Sequence, residues 1–202
     1  MNDAKIVSII PEMITTNLLE DCCELFNSNF EKVIDEKPIK IYPSRLQKYL
    51  VNSQLFCAYK ENSLVGYMIV EKMSPNLIWI KQIVIKKSYR NQKLATQLVD
   101  RIINYKYIGI ISNNPIMIKI LKSLGYMINQ NEEQYVETFL NPFFKQMSKL
   151  YNIDNFIKKE NHYLAFTHLS NIQTINCYID YSPLKAIKSG YEWTVIFETD
   201  DA

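Results

Sequence analysis

Two histidines and four cysteines are all that this sequence of 202 residues offers a metal or a disulfide framework. His162 and His168 have no third ligand near them in sequence, and Cys22, Cys23, Cys57 and Cys177 follow neither metal-ligand nor disulfide-framework spacing. No metal site is expected, and a reducing compartment is. None of the cysteines has a histidine beside it in sequence, which disfavours an enzyme-bound covalent intermediate. Excess charge is also lacking. A formal net charge of +2 is too small for a nucleic-acid track, and the pairs Lys86-Lys87 and Lys158-Lys159 read as solvated surface. No apolar run approaches the roughly 18 residues of a membrane span, and no charged leader precedes a long apolar segment. The expectation is a cytoplasmic protein with neither nucleic acid nor membrane as partner.

What is present permits a substantial core. With 48% hydrophobic and 22% charged residues, the chain can form one full domain with an extension, or two small units. Lys5 to Ile10 reads as a first strand ended by Pro11. Thr16 can cap a helix whose apolar face is Leu18, Leu19, Cys22, Leu25 and Phe26. A polar stretch from Asn27 to Pro43 leads to a helix from Ser44 through Tyr49. Leu55 to Tyr59 and Leu64 to Val70 form a hairpin, and Leu77 to Ile85 is the next strand. A helix from Leu94 to Ile103, a strand from Tyr107 to Ile111, and a helix begun by Pro115 and ended by Gly125 complete the pattern. A mixed sheet with flanking helices, α+β or three-layer α/β, is expected.

The most informative stretch is Ile83 to Asp100. The apolar run Ile83-Val84-Ile85 passes through Lys86-Lys87-Ser88-Tyr89-Arg90 into Asn91-Gln92-Lys93-Leu94-Ala95-Thr96, a strand delivered to a helix start where free N–H groups can hold an anion. Further on comes Asn113-Asn114-Pro115 through Leu124-Gly125-Tyr126. With these two stretches in order, residues 4 to 140 resemble the GCN5-related N-acetyltransferases (GNAT). That family's first motif is Arg or Gln, two variable residues, Gly, one residue, then Gly or Ala. Arg90 and Ala95 fit it, and Lys93 stands at the usual middle Gly.

The resemblance implies acetyl-CoA as cosubstrate, a three-layer α/β/α GNAT-like fold, and backbone binding of the coenzyme. The amides of Asn91, Gln92, Lys93, Leu94 and Ala95 become the pyrophosphate donors and Arg90 the charged partner, while Thr96 gives the ligand or a cap one further hydroxyl bond. If φ at Lys93 is negative its backbone still donates; if positive, the side chain imposes strain. Ile83, Val84 and Ile85 would bind the pantetheine arm and thioester carbonyl through main-chain groups, while their side chains read equally well as buried strand. Asn114 either caps its helix or bonds the coenzyme arm. Where many relatives have a proton-donating Tyr, four residues before the Gly, this chain has Leu121. Tyr126 is the catalytic alternative, beside direct thiolate release or a water.

On the acceptor side Glu12 can orient an amine or sit in a surface turn. Lys81 and Gln82 precede the acyl-binding segment, Trp79 can wall the acceptor site or be buried, and Tyr42 flanks the segment that commonly contacts acceptors. The chemistry implied is direct attack of an amine on the thioester. A small-molecule amine is the leading acceptor and a peptide N-terminus the other. The competing class is a CoA-binding interaction or regulatory protein that has lost transfer. Residues 1–141 are expected as the coenzyme-binding domain and 142–202 as an α+β extension that covers the cleft, completes the sheet or supports a homodimer. In that extension Pro142 precedes a helix, His162 to Leu169 and Ile172 to Tyr181 read as paired strands, Pro183 as the start of a short helix, and Glu192 to Phe197 as a final strand.

Overall fold

The computed structural model describes residues 4–30, 32–34, 37–112, 114–129, 155–159, 162–171 and 190–199. In chain order the elements are β1 (Lys5–Ile9), α1 (Thr16–Asn29), β2 (Lys32–Ile34), β3 (Lys37–Pro38), α2 (Pro43–Tyr49), β4 (Ser53–Lys60), β5 (Ser63–Lys72) and β6 (Leu77–Ile85). They continue with α3 (Leu94–Val99), β7 (Tyr107–Ser112), α4 (Pro115–Ser123), β8 (Tyr126–Ile128), β9 (Asn155–Lys159), β10 (His162–Asn171) and β11 (Gly190–Thr199). Short 3-10 turns lie at Pro11–Met13, Lys87–Tyr89 and Asp100–Ile102.

The chain divides into two compact units. One comprises Met1–Phe30 with Ile39–Lys106, the other Glu31–Pro38 with Tyr107–Ala202.

In the first unit four antiparallel strands run in the order β1-β4-β5-β6. The hairpin between β4 and β5 turns on Glu61 and Asn62, whose φ values of 49° and 64° are the pair of positive angles a two-residue turn needs to match strand twist. Helix α1 buries Leu19, Cys22, Cys23, Leu25 and Phe26, a stripe at helical spacing. Its cap is Thr15, whose side chain accepts from the Leu18 amide, so the expected cap at Thr16 is off by one. Two adjacent threonines offer the same chemistry, and only the one with extended backbone can cap. α1 packs on β5 and β6 beside the buried ring of Tyr67. On the preceding residue, Gly66, a methyl group would come within 2.8 Å of Ile85 Cδ1 and 3.4 Å of Leu94 Cδ2. Neighbouring strand residues face opposite ways, so α1 and α3 cover opposite faces of this sheet.

The second unit carries the strand order β7-β11-β10-β2-β3, with β8 also paired to β11 and β9 to β10. β11 lies antiparallel to β7, from Trp193 opposite Ser112 to Glu198 opposite Tyr107. The described strands of residues 142–202 thus extend the sheet that β7 begins. The stretch read as merely polar holds β2 and β3, and β2 pairs with Ser170 and Asn171 of β10. The strands expected over His162–Leu169 and Glu192–Phe197 are β10 and β11, paired with each other. The expected helix after Pro142, the strand over Ile172–Tyr181 and the helix at Pro183 lie outside the described residues.

Candidate functional site

The site is built on β6, α3 and the loop between them, all in the first unit. Pairing of β5 with β6 slips between Ile69, opposite Gln82, and Val70, opposite Ile80. Lys81 is the extra residue of this bulge, which re-aims side chains at the middle of the strand. The Lys81 ammonium is held by the Tyr49 carbonyl at 2.6 Å, Ser53 Oγ at 3.0 Å and Glu71 Oε2 at 3.0 Å. Burial lowers its pKa and Glu71 opposes that shift. The Tyr49 carbonyl ends α2, where a cation is favourable, so this ion pair ties α2, β4, β5 and the bulge together. The Lys81 ammonium thus has structural partners on three neighbouring elements. Trp79 is 1% exposed and belongs to the core, not to an acceptor wall. Gln82 stays half-buried, and Tyr67 donates from its hydroxyl to Gln82 Oε1 at 2.7 Å.

Beyond Ile85 the backbone alternates in hand. Asn91 and Lys93 both have φ of 61°, and Gln92 between them is not in the positive region. Alternation of φ sign is the backbone pattern of an anion-binding nest, in which successive amides turn toward one point. Lys93 at φ 61°, ψ 9° is the residue before α3, so the positive angle that the motif's Gly would adopt freely is imposed here on a lysine. The first-turn amides of Leu94, Ala95 and Thr96 have no partner inside the helix. The donor set of this loop, backbone N–H groups with an exposed lysine, fits a diphosphate.

Arg90 is placed otherwise than its motif position led us to expect. Its guanidinium donates to the Asn29 carbonyl at 2.5 Å and to the Ile85 carbonyl at 3.4 Å. The Asn29 carbonyl ends α1, and the Asn29 side chain accepts from the Lys87 amide at 2.7 Å while donating to the Leu25 carbonyl at 2.7 Å. Asn29 is 7% exposed. Together these bonds clamp both ends of the Lys86–Arg90 segment to α1, and Arg90 holds the loop's shape. No sequence motif marked Asn29, because its partners are 58 and 61 residues away.

The expected acceptor-side residues Glu12 and Tyr42 are both exposed. Glu12 is exposed in the turn after β1. Neighbouring Pro11 lines a shallow recess of about 210 Å³ with Ser53, Gln54, Val70 and Ile78, at the far end of β6 from the loop. Seven residues of strand put those ends roughly 23 Å apart. Tyr42 is 63% exposed at the start of α2.

The Acetyltransferase (GNAT) family profile matches residues 19–126, which include β6, the nest and α4. The chain belongs to the GNAT acetyltransferase family. Among solved structures, the ribosomal-protein-S18-alanine N-acetyltransferase of Escherichia coli is similar at 10% identity and a TM-score of 0.53, over 97% of this chain and 92% of that one. A GNAT acetyltransferase from Elizabethkingia anophelis with acetyl-CoA bound matches at 15% identity and a TM-score of 0.50, over 98% and 99%. The Salmonella typhimurium protein yncA, with its cofactor acetyl-CoA, matches at 8% and 0.54, over 100% and 96%. No curated protein matches the sequence. The fold is the α+β, three-layer GNAT fold with a mixed central sheet flanked by helices, as the resemblance led us to expect.

As a GNAT protein the chain departs from the family pattern in its second unit as well as at Lys93. Leu121, at the position of the usual proton donor, is 0% exposed, and Met117 is buried on the same helix. Tyr126 is 1% exposed at the start of β8, and burial raises its pKa to about 12. Asn114 caps α4, its side chain accepting from the Ile116 amide at 3.0 Å; of its two expected roles, this is the structural one. Among the described residues no cluster of metal-binding side chains occurs, and no helix is long and apolar enough to cross a membrane.

Proposed function

We propose that this protein transfers an acetyl group from acetyl-CoA to an amine by direct attack, in a cytoplasmic setting. The observation that carries the reading is the nest of alternating hand between β6 and α3. Diphosphate oxygens would accept from the amides of Asn91 through Thr96, with the Lys93 ammonium adding charge and the clamp of Arg90 and Asn29 keeping the loop preorganised. Main-chain groups of Ile83, Val84 and Ile85, beyond the bulge, would align the pantetheine arm and thioester. An amide there stabilises the negative charge that develops on the thioester oxygen as the amine attacks. Gln82 then lies on the acceptor side, three residues from Ile85. Holding both reactants in line supplies the rate gain without a covalent enzyme intermediate.

Two bound acetyl-CoA structures of the same fold support the cosubstrate. The test is release of CoA thiol from acetyl-CoA: a rate that rises with amine concentration and saturates is expected, and a rate equal to buffer hydrolysis with every amine would contradict transfer. A second reading, a CoA-binding regulator without transfer, is favoured by the buried Leu121 in place of a proton donor. It predicts tight calorimetric binding of acetyl-CoA with no amine-dependent thiol release.

A further inference from the structure

We propose that the acceptor is an α-amino carbonyl compound, an amino-acid derivative or the first residue of a peptide, whose carbonyl oxygen is held by the Gln82 carboxamide. This rests on the transferase reading and narrows it. Three features lead to it. The register puts Gln82 opposite Ile69, on the face covered by α1. Tyr67 stands opposite Val84 and is therefore a diagonal neighbour of Gln82 on the same face. It is 0% exposed, and its hydroxyl donates to Gln82 Oε1 at 2.7 Å.

That bond decides which end of the carboxamide is offered. Burial raises the Tyr67 pKa well above its usual value, so the hydroxyl keeps its proton. If it met the Gln82 NH2 instead, a fully buried O–H would have no acceptor, the costlier arrangement. With Oε1 turned to Tyr67, the half-buried side chain offers Nε2 and its two hydrogens, and no protein bond to Nε2 is found among the described residues. The presented group is a pure donor. It gives nothing to the attacking nitrogen, which must keep its lone pair for the thioester. It recognises an oxygen elsewhere on the acceptor. A simple alkylamine or polyamine has none, whereas an α-amino carbonyl carries one two carbons from the nitrogen. Since the nearby Lys81 ammonium is engaged by Glu71, a neutral carbonyl suits the site better than a free carboxylate.

The test compares alaninamide with sec-butylamine, which has the same branching but no carbonyl, as acceptors of labelled acetyl groups, with kcat/KM expressed per unprotonated amine. The wild-type chain should prefer alaninamide by about tenfold or more, the selectivity of one lost hydrogen bond to a built polar group. In Tyr67→Phe the carboxamide is free to turn, and in Gln82→Leu it is gone. In both, the preference ratio should fall about tenfold, and since the same two amines are compared, their basicities cancel. Gln82→Glu presents only acceptors and should abolish or invert the preference, which covers the case that either first variant folds poorly. A ratio near one in the wild type, or a ratio unchanged in all three variants, would overturn this inference while leaving transferase activity standing. Absence of transfer to any amine would overturn the transferase reading and this inference with it.

Discussion

Replacing Lys93 by Gly tests the loop most sharply, because stability and binding should move in opposite directions. At φ 61°, ψ 9° an L side chain crowds its own carbonyl at a cost of roughly 1–2 kcal/mol. Glycine has no such penalty but loses more chain entropy on folding, about 0.5–1 kcal/mol. The net expectation for Lys93→Gly is a gain of about 0.5–1 kcal/mol, read as a rise in Tm of roughly 1–4 °C with an unchanged denaturant slope. Acetyl-CoA affinity should fall about threefold to tenfold at low salt, because the exposed ammonium beside the phosphates is lost while the amides stay. Lys93→Asn is the companion, since asparagine tolerates the left-handed region and also lacks the charge. It should match the glycine variant in affinity and lie between it and wild type in stability. A glycine variant less stable than wild type would refute the strain argument. Undiminished affinity at low salt would remove the lysine from the phosphate site.

Three further outcomes follow from named contacts. Arg90→Ala and Asn29→Ala should each weaken acetyl-CoA binding by about 1–2 kcal/mol, as for loss of a hydrogen bond to a charged or buried group. Measured by calorimetry, the double variant should fall well short of the sum, because both remove one clamp; full additivity would mean that Arg90 contacts the coenzyme independently. Lys81→Met should cost about 3–5 kcal/mol in urea unfolding by leaving Glu71 uncompensated, and adding Glu71→Leu should restore much of that. Burial raises the pKa of Tyr59 and of Tyr126 to about 12 and that of Tyr67 well above 10. The folded state holds these protons where the unfolded chain loses them, so stability is fully present below pH 10 and is lost as pH rises toward 12. Tyrosinate absorbance during an alkaline titration should rise together with unfolding, and ionisation of these three near pH 10 in the folded protein would contradict their burial.

The parts of this fold that could be read from sequence are those set by local chemistry. β6 begins at Leu77 and ends at Ile85 as expected, because an apolar run bounded by turn residues defines itself. Pro115 and Gly125 mark α4 for the same reason, and Gly125 adopts φ of 86° after the helix. The bulge at Lys81 was not legible, since a bulge is a property of pairing between two strands. Nor was β2, whose partner residues Ser170 and Asn171 are over 130 positions away. At the site, the bonds of Arg90 to the end of α1 were not legible in the motif, because the acceptor lies on a helix folded back from Asn29. Tyr67 lies outside every motif, and only strand register brings it to Gln82. For Lys81 and Trp79 the sequence left core and cleft both open, because strand alternation leaves the facing side undecided until the helices are placed.

Mass spectrometry after incubation with isotopically labelled acetyl-CoA and a mixed amine library tests transfer of acetyl groups onto amines directly. Label is expected on the nitrogen of an α-amino carbonyl compound, in amounts equal to the free CoA released. Label that remains on the thioester, in a sample where calorimetry shows the coenzyme bound, would contradict it.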